Sequence, residues 1–236
     1  MTSNKEDKRE LPRLPANLDP DRLEAARNPQ PRCACALVLD TSGSMEGEAI
    51  YELQEALHAF FTEMADDPVC QLSVEPAVIT CGGTAQLARP FTSLLDFDKN
   101  SLLLLEADGA TPLGAALDLA IDQVLERRRD YRRCGLQAYR PVIVAMTDGQ
   151  PTDSWERAAA RLRALKDHVF LIVVATGPSA NMAILNEIAQ PERPPLLLSG
   201  ISFQSLFRLV SDSLRSLTTS SGDVRAATLA LQELSR

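Results

Sequence analysis

Residues 33–39, CACALVL, form an unbroken apolar run that ends at an acid and a hydroxyl-rich turn, Asp40-Thr41-Ser42-Gly43-Ser44. An apolar run without alternation is what a strand buried on both faces needs, and such strands belong to parallel sheets covered by helices. Helical periodicity follows at once. Ile50, Leu53, Leu57, Phe60, Phe61 and Met64 share one face of a helix predicted over residues 49–65. The turn therefore lies at the carboxyl end of a buried strand, where open α/β sheets place their ligand sites.

The same alternation continues along the chain. Strands are predicted at residues 71–80 and 84–91, joined by Cys81-Gly82-Gly83. A link this short demands an antiparallel hairpin. Residues 94–106 are apolar over too short a stretch to separate strand from helix. A helix is expected at residues 113–128, with Leu113, Leu117, Ala120, Ile121, Val124 and Leu125 on one face. A strand at 141–146 and a helix at 153–166 follow, with Asp153 and Glu156 spaced as a capping box. Then come a strand at 169–176, a helix at 180–189, a short strand at 195–198 and a closing helix at 203–217. The pattern reads as an α/β fold: a mainly parallel sheet with one antiparallel edge strand and helices on both faces. Residues 1–31 read as a Pro-rich charged extension with one short helix at 21–28, residues 32–217 as the domain, and residues 218–236 as a tail with a weak helical pattern at 224–234.

Charge and composition narrow the function. The chain has 236 residues, enough for one α/β domain with tails, and 45% of them are hydrophobic. No stretch approaches the roughly 18 uninterrupted apolar residues of a membrane span. The N-terminus lacks the apolar centre of a signal peptide, so a cytoplasmic protein is expected. A net charge of −8 argues against general nucleic-acid binding. The local exception, Arg127-Arg128-Arg129 with Arg132-Arg133, has no aromatic platform and reads as a solvated helix end. Five cysteines, an odd number, argue against a disulfide framework. Cys33 and Cys35 alternate along a strand with Leu37 and Leu39, and no second Cys or His pair completes a soft-metal site there.

The chemistry lies in three loops. Asp40, Ser42 and Ser44 follow the first strand. Thr111, in Asp108-Gly109-Ala110-Thr111-Pro112-Leu113-Gly114, precedes a helix, and Asp148-Gly149 follows the 141–146 strand. If all three loops meet at one sheet edge, they offer five side-chain oxygens and two negative charges. Hard oxygen donors of this kind suit Mg²⁺ or Mn²⁺ better than zinc or copper, with water filling some of the six octahedral positions. Each piece has a plainer reading. Ser-rich turns bond their own acids, Thr111 with Pro112 can start a helix, and Asp-Gly is a common turn pair.

Asp-x-Ser-x-Ser, then Gly-x-Thr-Pro-Leu-Gly, then Thr-Asp-Gly together resemble the metal-ion-dependent adhesion site (MIDAS) of von Willebrand factor type A (VWA) domains. The resemblance runs from about Arg32 to Leu217. Residues 39–48 and 147–155 further resemble the bacterial tellurium-resistance (TerY-type) branch. The resemblance implies a Rossmann-like doubly wound fold. It makes Ser42, Ser44 and Thr111 direct or near-direct ligands of Mg²⁺ or Mn²⁺, with Asp40 and Asp148 supplying charge, one or both through water. It implies a protein partner that offers a Glu or Asp to the open metal position. Kinases, phosphatases and AAA+ ATPases are the partner classes it suggests, in bacterial stress, tellurite-resistance or defence signalling. Asp108 and Asp153 are extra acids near the motifs. Asp153 reads as a helix cap, and Asp108 as either a solvated loop residue or a modulator of the metal's charge.

Enzymatic readings fit less well. An aspartyl phosphatase with Asp40 as nucleophile needs a second acid two residues on, and Ser42 stands there. A serine hydrolase needs G-x-S-x-G with a catalytic His, and phosphate-binding glycine loops are missing. His58 and His168 read as structural. The expectation is a non-enzymatic binding module, with a metal-free interaction scaffold as the alternative and a metal-dependent phosphohydrolase behind it.

Overall fold

The computed structural model describes residues 20–197, apart from 96, 102 and 177–179, together with residue 214. The elements in chain order are α1 (Pro20–Arg27), β1 (Cys33–Asp40), a 3₁₀ turn (Gly43–Met45), α2 (Glu48–Asp66), α3 (Pro68–Ser73), β2 (Val74–Gly82) and β3 (Thr84–Arg89). They continue with α4 (Leu113–Arg133), β4 (Val142–Thr147), α5 (Glu156–Ala164), β5 (Phe170–Ala175), α6 (Met182–Ile188) and β6 (Leu196–Leu197).

The sheet order is β3-β2-β1-β4-β5-β6. All neighbours run parallel except β2 and β3, which form the expected antiparallel hairpin. The chain thus has the α/β, Rossmann-like architecture read from its alternation. β1 is buried at every position because alternate residues enter different cores. Cys33, Cys35, Leu37 and Leu39 meet the apolar face of α2, including Leu53, Leu57, Phe60 and Met64. Ala36 and Val38 meet α4 and α5 through Leu117, Ile121, Val124 and Leu162. Each such fully buried Leu, Ile or Phe stabilises the fold by about 1.5–3 kcal/mol relative to exposure. No helix among the described residues is long and apolar enough to cross a membrane.

Several boundaries differ from the sequence reading, and α4 runs on to Arg133, beyond the expected end at 128. Residues 71–73 are not strand; they close α3. Asp67 caps that helix, its Oδ1 accepting from the Val69 and Cys70 amides at 3.0 and 2.8 Å, and Pro68 fits the first turn. The helix expected from residue 153 starts at Glu156, and Asp153 does not cap it. Residues 94–106 form no helix or strand where described. They lie against α2, with Leu94 and Leu105 buried and the Leu105 amide donating to Gln54 Oε1 at 3.0 Å. The short helix near 21–28 is present as α1. The expected closing helix at 203–217 lies outside the described residues except for Leu214, which is helical and buried in the α2-side core. The tail pattern at 224–234 also lies outside them.

At the amino ends of the strands, Arg32 and Glu75 are buried together, each 2% exposed. Glu75 accepts from Arg32 Nε at 3.1 Å, Arg127 Nε at 2.8 Å and the Tyr131 hydroxyl at 2.7 Å. Arg32 also donates to the carbonyls of Asn28, Gln30 and Leu72. The segment after α1 is thereby fastened to the base of the sheet, at the edge opposite the candidate site.

Candidate metal centre

Register brings the three loops to one edge. Asp40 pairs with Cys81 across β1 and β2, and Leu39 pairs with Met146 across β1 and β4. The carboxyl ends of three central strands are therefore level, and Thr147 and Asp148 emerge beside Asp40. Asp40 ends its strand and is 3% exposed. Its Oδ1 accepts from the Ser42 amide at 3.0 Å, and its Oδ2 accepts from the Thr147 hydroxyl at 2.7 Å. Thr147 Oγ1 in turn accepts from the Gly149 amide at 3.1 Å. One carboxylate thus spans the first and third loops.

The 3₁₀ turn folds Ser44 back over Ser42, leaving their hydroxyl oxygens 3.0 Å apart. Asp148 joins them through a side-chain hydrogen bond with Ser44, and its Oδ1 accepts from the Gln150 amide at 3.0 Å. Burial pushes the Asp148 carboxyl above the usual range; the charge of Asp40 adds to that, and the bonds from Gln150 and Ser44 partly oppose it.

Thr111 is buried at the same edge. Its loop is laced in by backbone. Gly43 donates to the Gly109 carbonyl at 3.0 Å, Asp108 to the Thr41 carbonyl at 2.9 Å, and Gly83 to the Ala110 carbonyl at 2.8 Å. The Thr111 carbonyl accepts from Thr152 at 2.9 Å. A Cβ at Gly82 would lie 2.2 Å from the Thr41 carbonyl oxygen, so these loops close only around a glycine. All five residues expected at the site lie along this one edge. Four are joined by side-chain hydrogen bonds to one another or to Thr147, and Thr111 is brought in through its main chain.

The donor set fits a hard divalent cation. It offers two carboxylates and three hydroxyls, and among the described residues neither Asp40 nor Asp148 is paired with a Lys or Arg. Among those residues no three His, Cys, Asp or Glu side chains gather as a metal site, so a cation here depends on the hydroxyls. His58 lines a concavity under α2 with Phe61 and Arg89, and His168 precedes β5 at the opposite edge. Neither completes a hydrolytic arrangement with Ser44.

Thr147 was not assigned a role from sequence, and Asp153 was read as the cap of a different helix. Thr147 ties Asp40 to the β4 loop; a hydroxyl closing an otherwise apolar buried strand was its signal. Asp153 caps a helix, but that helix is α4 rather than α5. Asp108 is exposed and is held through its backbone amide.

The chain matches the von Willebrand factor type A domain over residues 35–212. It belongs to that family. Solved structures agree with the VWA fold. Proximal thread matrix protein 1 from the mussel byssus superposes with a TM-score of 0.58 at 21% identity, covering 81% of this chain and 47% of that one. The same mussel protein with a zinc-occupied MIDAS motif gives 0.55 at 20% identity, covering 80% and 46%. A von Willebrand factor type A structure from Catenulispora acidiphila gives 0.55 at 14%, covering 79% and 43%. At such identities the likeness concerns the fold. This VWA chain spans about half the length of these solved chains. No curated protein matches it in sequence.

Proposed function

We propose that this VWA domain is a non-enzymatic, metal-ion-dependent protein-binding module. Asp40, Ser42, Ser44, Thr111 and Asp148 hold Mg²⁺ or Mn²⁺, and a partner protein contributes a Glu or Asp. The observation that carries the reading is the convergence of two carboxylates, without a cationic partner among the described residues, on a hydroxyl pair in which Ser42 is buried and Ser44 faces outward, exposed. A bound divalent cation supplies Lewis acidity toward an incoming carboxylate. The chain's own part is to fix the donors: Asp40 is oriented by Thr147 and the Ser42 amide, and Ser44 links Ser42 to Asp148. Two fixed negative charges neutralise a divalent ion, while neutral hydroxyls leave it electrophilic.

The sequence motifs favour the tellurium-resistance (TerY-type) branch. That resemblance suggests a bacterial module in stress, tellurite-resistance or defence signalling, with a kinase, a phosphatase or an AAA+ ATPase as partner, and the cytoplasm is the location proposed with it. A metal-free scaffold is the second reading. The bonds Ser42–Ser44, Ser44–Asp148 and Asp40–Thr147 favour it, since they satisfy these groups without a cation.

Thermal unfolding across Mg²⁺ and Mn²⁺ series separates the two. A ligand bound only by the folded state adds about 2.7 kcal/mol at a hundredfold excess over Kd. A saturable rise in wild type that Asp40→Ala lacks, with EDTA-sensitive partner capture, supports the module. Capture indifferent to EDTA supports the scaffold.

A further inference from the structure

We propose that Asp153 is a positioning residue that locks the Thr111 loop to the Asp148 loop and thereby sets the metal affinity of the site. The inference rests on the metal-site reading above. Asp153 lies in the loop after β4, yet both its carboxylate oxygens serve another helix. Oδ1 accepts from the Gly114 amide and Oδ2 from the Ala115 amide, each at 2.9 Å. These amides belong to the first turn of α4, whose own N-cap position, Pro112, supplies no side-chain acceptor. Asp153 therefore does for α4 what a local cap does elsewhere, but from a different loop.

Two further contacts tighten the joint. The Thr152 amide donates to the Thr111 carbonyl at 2.9 Å. A Cβ at Gly114 would stand 2.3 Å from the Ser154 carbonyl oxygen, so the loop presses on the helix where a side chain has no room. Thr111 lies three residues before Gly114, and Asp148 lies five residues before Asp153. Without this joint the Thr111 hydroxyl and the Asp148 carboxylate ride on separate loops. Metal ligands must be held to within about half an ångström of their working geometry. Asp153 is also an electrostatic neighbour of the site. The Cys81 thiol is pushed up first by burial and then by Asp40, Asp153 and Asp148.

The test is Mn²⁺ titration of the full chain by calorimetry, followed in parallel by the fluorescence of Trp155. That is the single tryptophan, and its Cα would lie 2.9 Å from a Cβ at Gly114. Asp67→Ala is the control. It removes the same kind of double amide cap from α3, at the opposite edge of the sheet. Loss of a residue that orients metal ligands typically weakens binding about 10–100-fold. Asp153→Ala should raise the Mn²⁺ Kd by about that factor, and Asp67→Ala should leave it unchanged. Asp153→Asn, which keeps one acceptor and the native length, should fall between and covers the case in which the alanine variant does not fold. Salt screens a half-buried charge only in part, so the charge is tested by Asp153→Asn, which removes the same charge as alanine yet should still bind Mn²⁺ more tightly than Asp153→Ala. A wild-type Kd in the folded Asp153 variants, an equal loss in Asp67→Ala, or a loss in Asp153→Asn as large as that in Asp153→Ala overturns the proposal while the metal site stands. No saturable Mn²⁺ binding in wild type overturns both.

Discussion

Gly82→Ala tests whether the cradle depends on the close approach of bare backbone. Gly82 ends β2 and has no positive φ, so alanine meets no intrinsic backbone penalty there. The cost is steric and local. The new Cβ would sit 2.2 Å from the Thr41 carbonyl oxygen, 2.5 Å from Thr41 Oγ1 and 2.6 Å from the Thr41 carbonyl carbon. Two of these three atoms are backbone, so no rotamer relieves the clash. The Thr41 carbonyl must move by about an ångström to reach ordinary contact. That carbonyl accepts from Asp108, and the Thr41 amide donates to Cys81. Overpacking costs about 1–3 kcal/mol, and each net hydrogen bond lost adds about 0.5–1.5 kcal/mol. The expected destabilisation is about 2–4 kcal/mol. Urea unfolding reads it as a lowered midpoint with an unchanged slope. Because Ser42 follows Thr41, metal-induced stabilisation should shrink as well. Gly47→Ala is the comparison. Gly47 has φ 93° and ψ −133° and nothing within 4 Å of a new Cβ, so its cost is purely conformational, about 1–3 kcal/mol, and is paired with intact metal binding. A Gly82→Ala protein within about 0.5 kcal/mol of wild type, with unchanged metal response, would refute the steric reasoning.

Other outcomes follow from the same geometry. Glu75→Ala leaves the Arg32 guanidinium buried without its carboxylate and should cost about 3–5 kcal/mol by urea unfolding; the metal Kd should not change, since Glu75 lies about 20 Å along β2 from Cys81. Asp148 is raised in the folded state, so in EDTA its contribution to stability is full below the ordinary carboxylate pKa and is lost as pH rises through the raised value. Wild type measured against Asp148→Asn should therefore lose relative stability over that window, and Mn²⁺ affinity should weaken as pH falls through it, because the cation must displace the proton. Asp40→Asn should be closer to wild type in EDTA than Asp40→Ala, since it keeps an acceptor for the Ser42 amide and relieves repulsion with Asp148. It should nevertheless lose the metal-induced rise in melting temperature; an undiminished rise refutes the role given to Asp40.

Much of the fold was legible because burial on two faces leaves no ambiguity. β1 could only be a central strand, and a Gly-Gly link could only make β2 and β3 a hairpin. The five candidate oxygens were legible because each follows a strand or precedes a helix at the same edge. What escaped was set by contacts between distant segments. Asp153 carried the spacing of a local capping box, but the α4 amides across the loop won it. The start of β2 was obscured because Cys70 and Leu72 continue an apolar pattern into the strand, although Asp67-Pro68 already carried a helix-start signal. Leu94, Phe97, Leu103 and Leu105 are apolar because they pack into the α2-side core, from a segment that has no helix or strand period of its own where described.

The outer strands restrict how anything can attach to this domain. β3 ends the sheet on one side; it is six residues long, kinked by an irregularity opposite Val78 and Ile79, and followed at once by Pro90. β6, at the other side, has two described residues, Leu196 and Leu197. Among the described residues neither offers a long flat ladder to which a foreign segment could be added as a further strand. On the function proposed above, recognition would then fall to side chains meeting the loop edge. A lone extended peptide cut from a partner should bind far more weakly than the same residues displayed on that partner's folded surface.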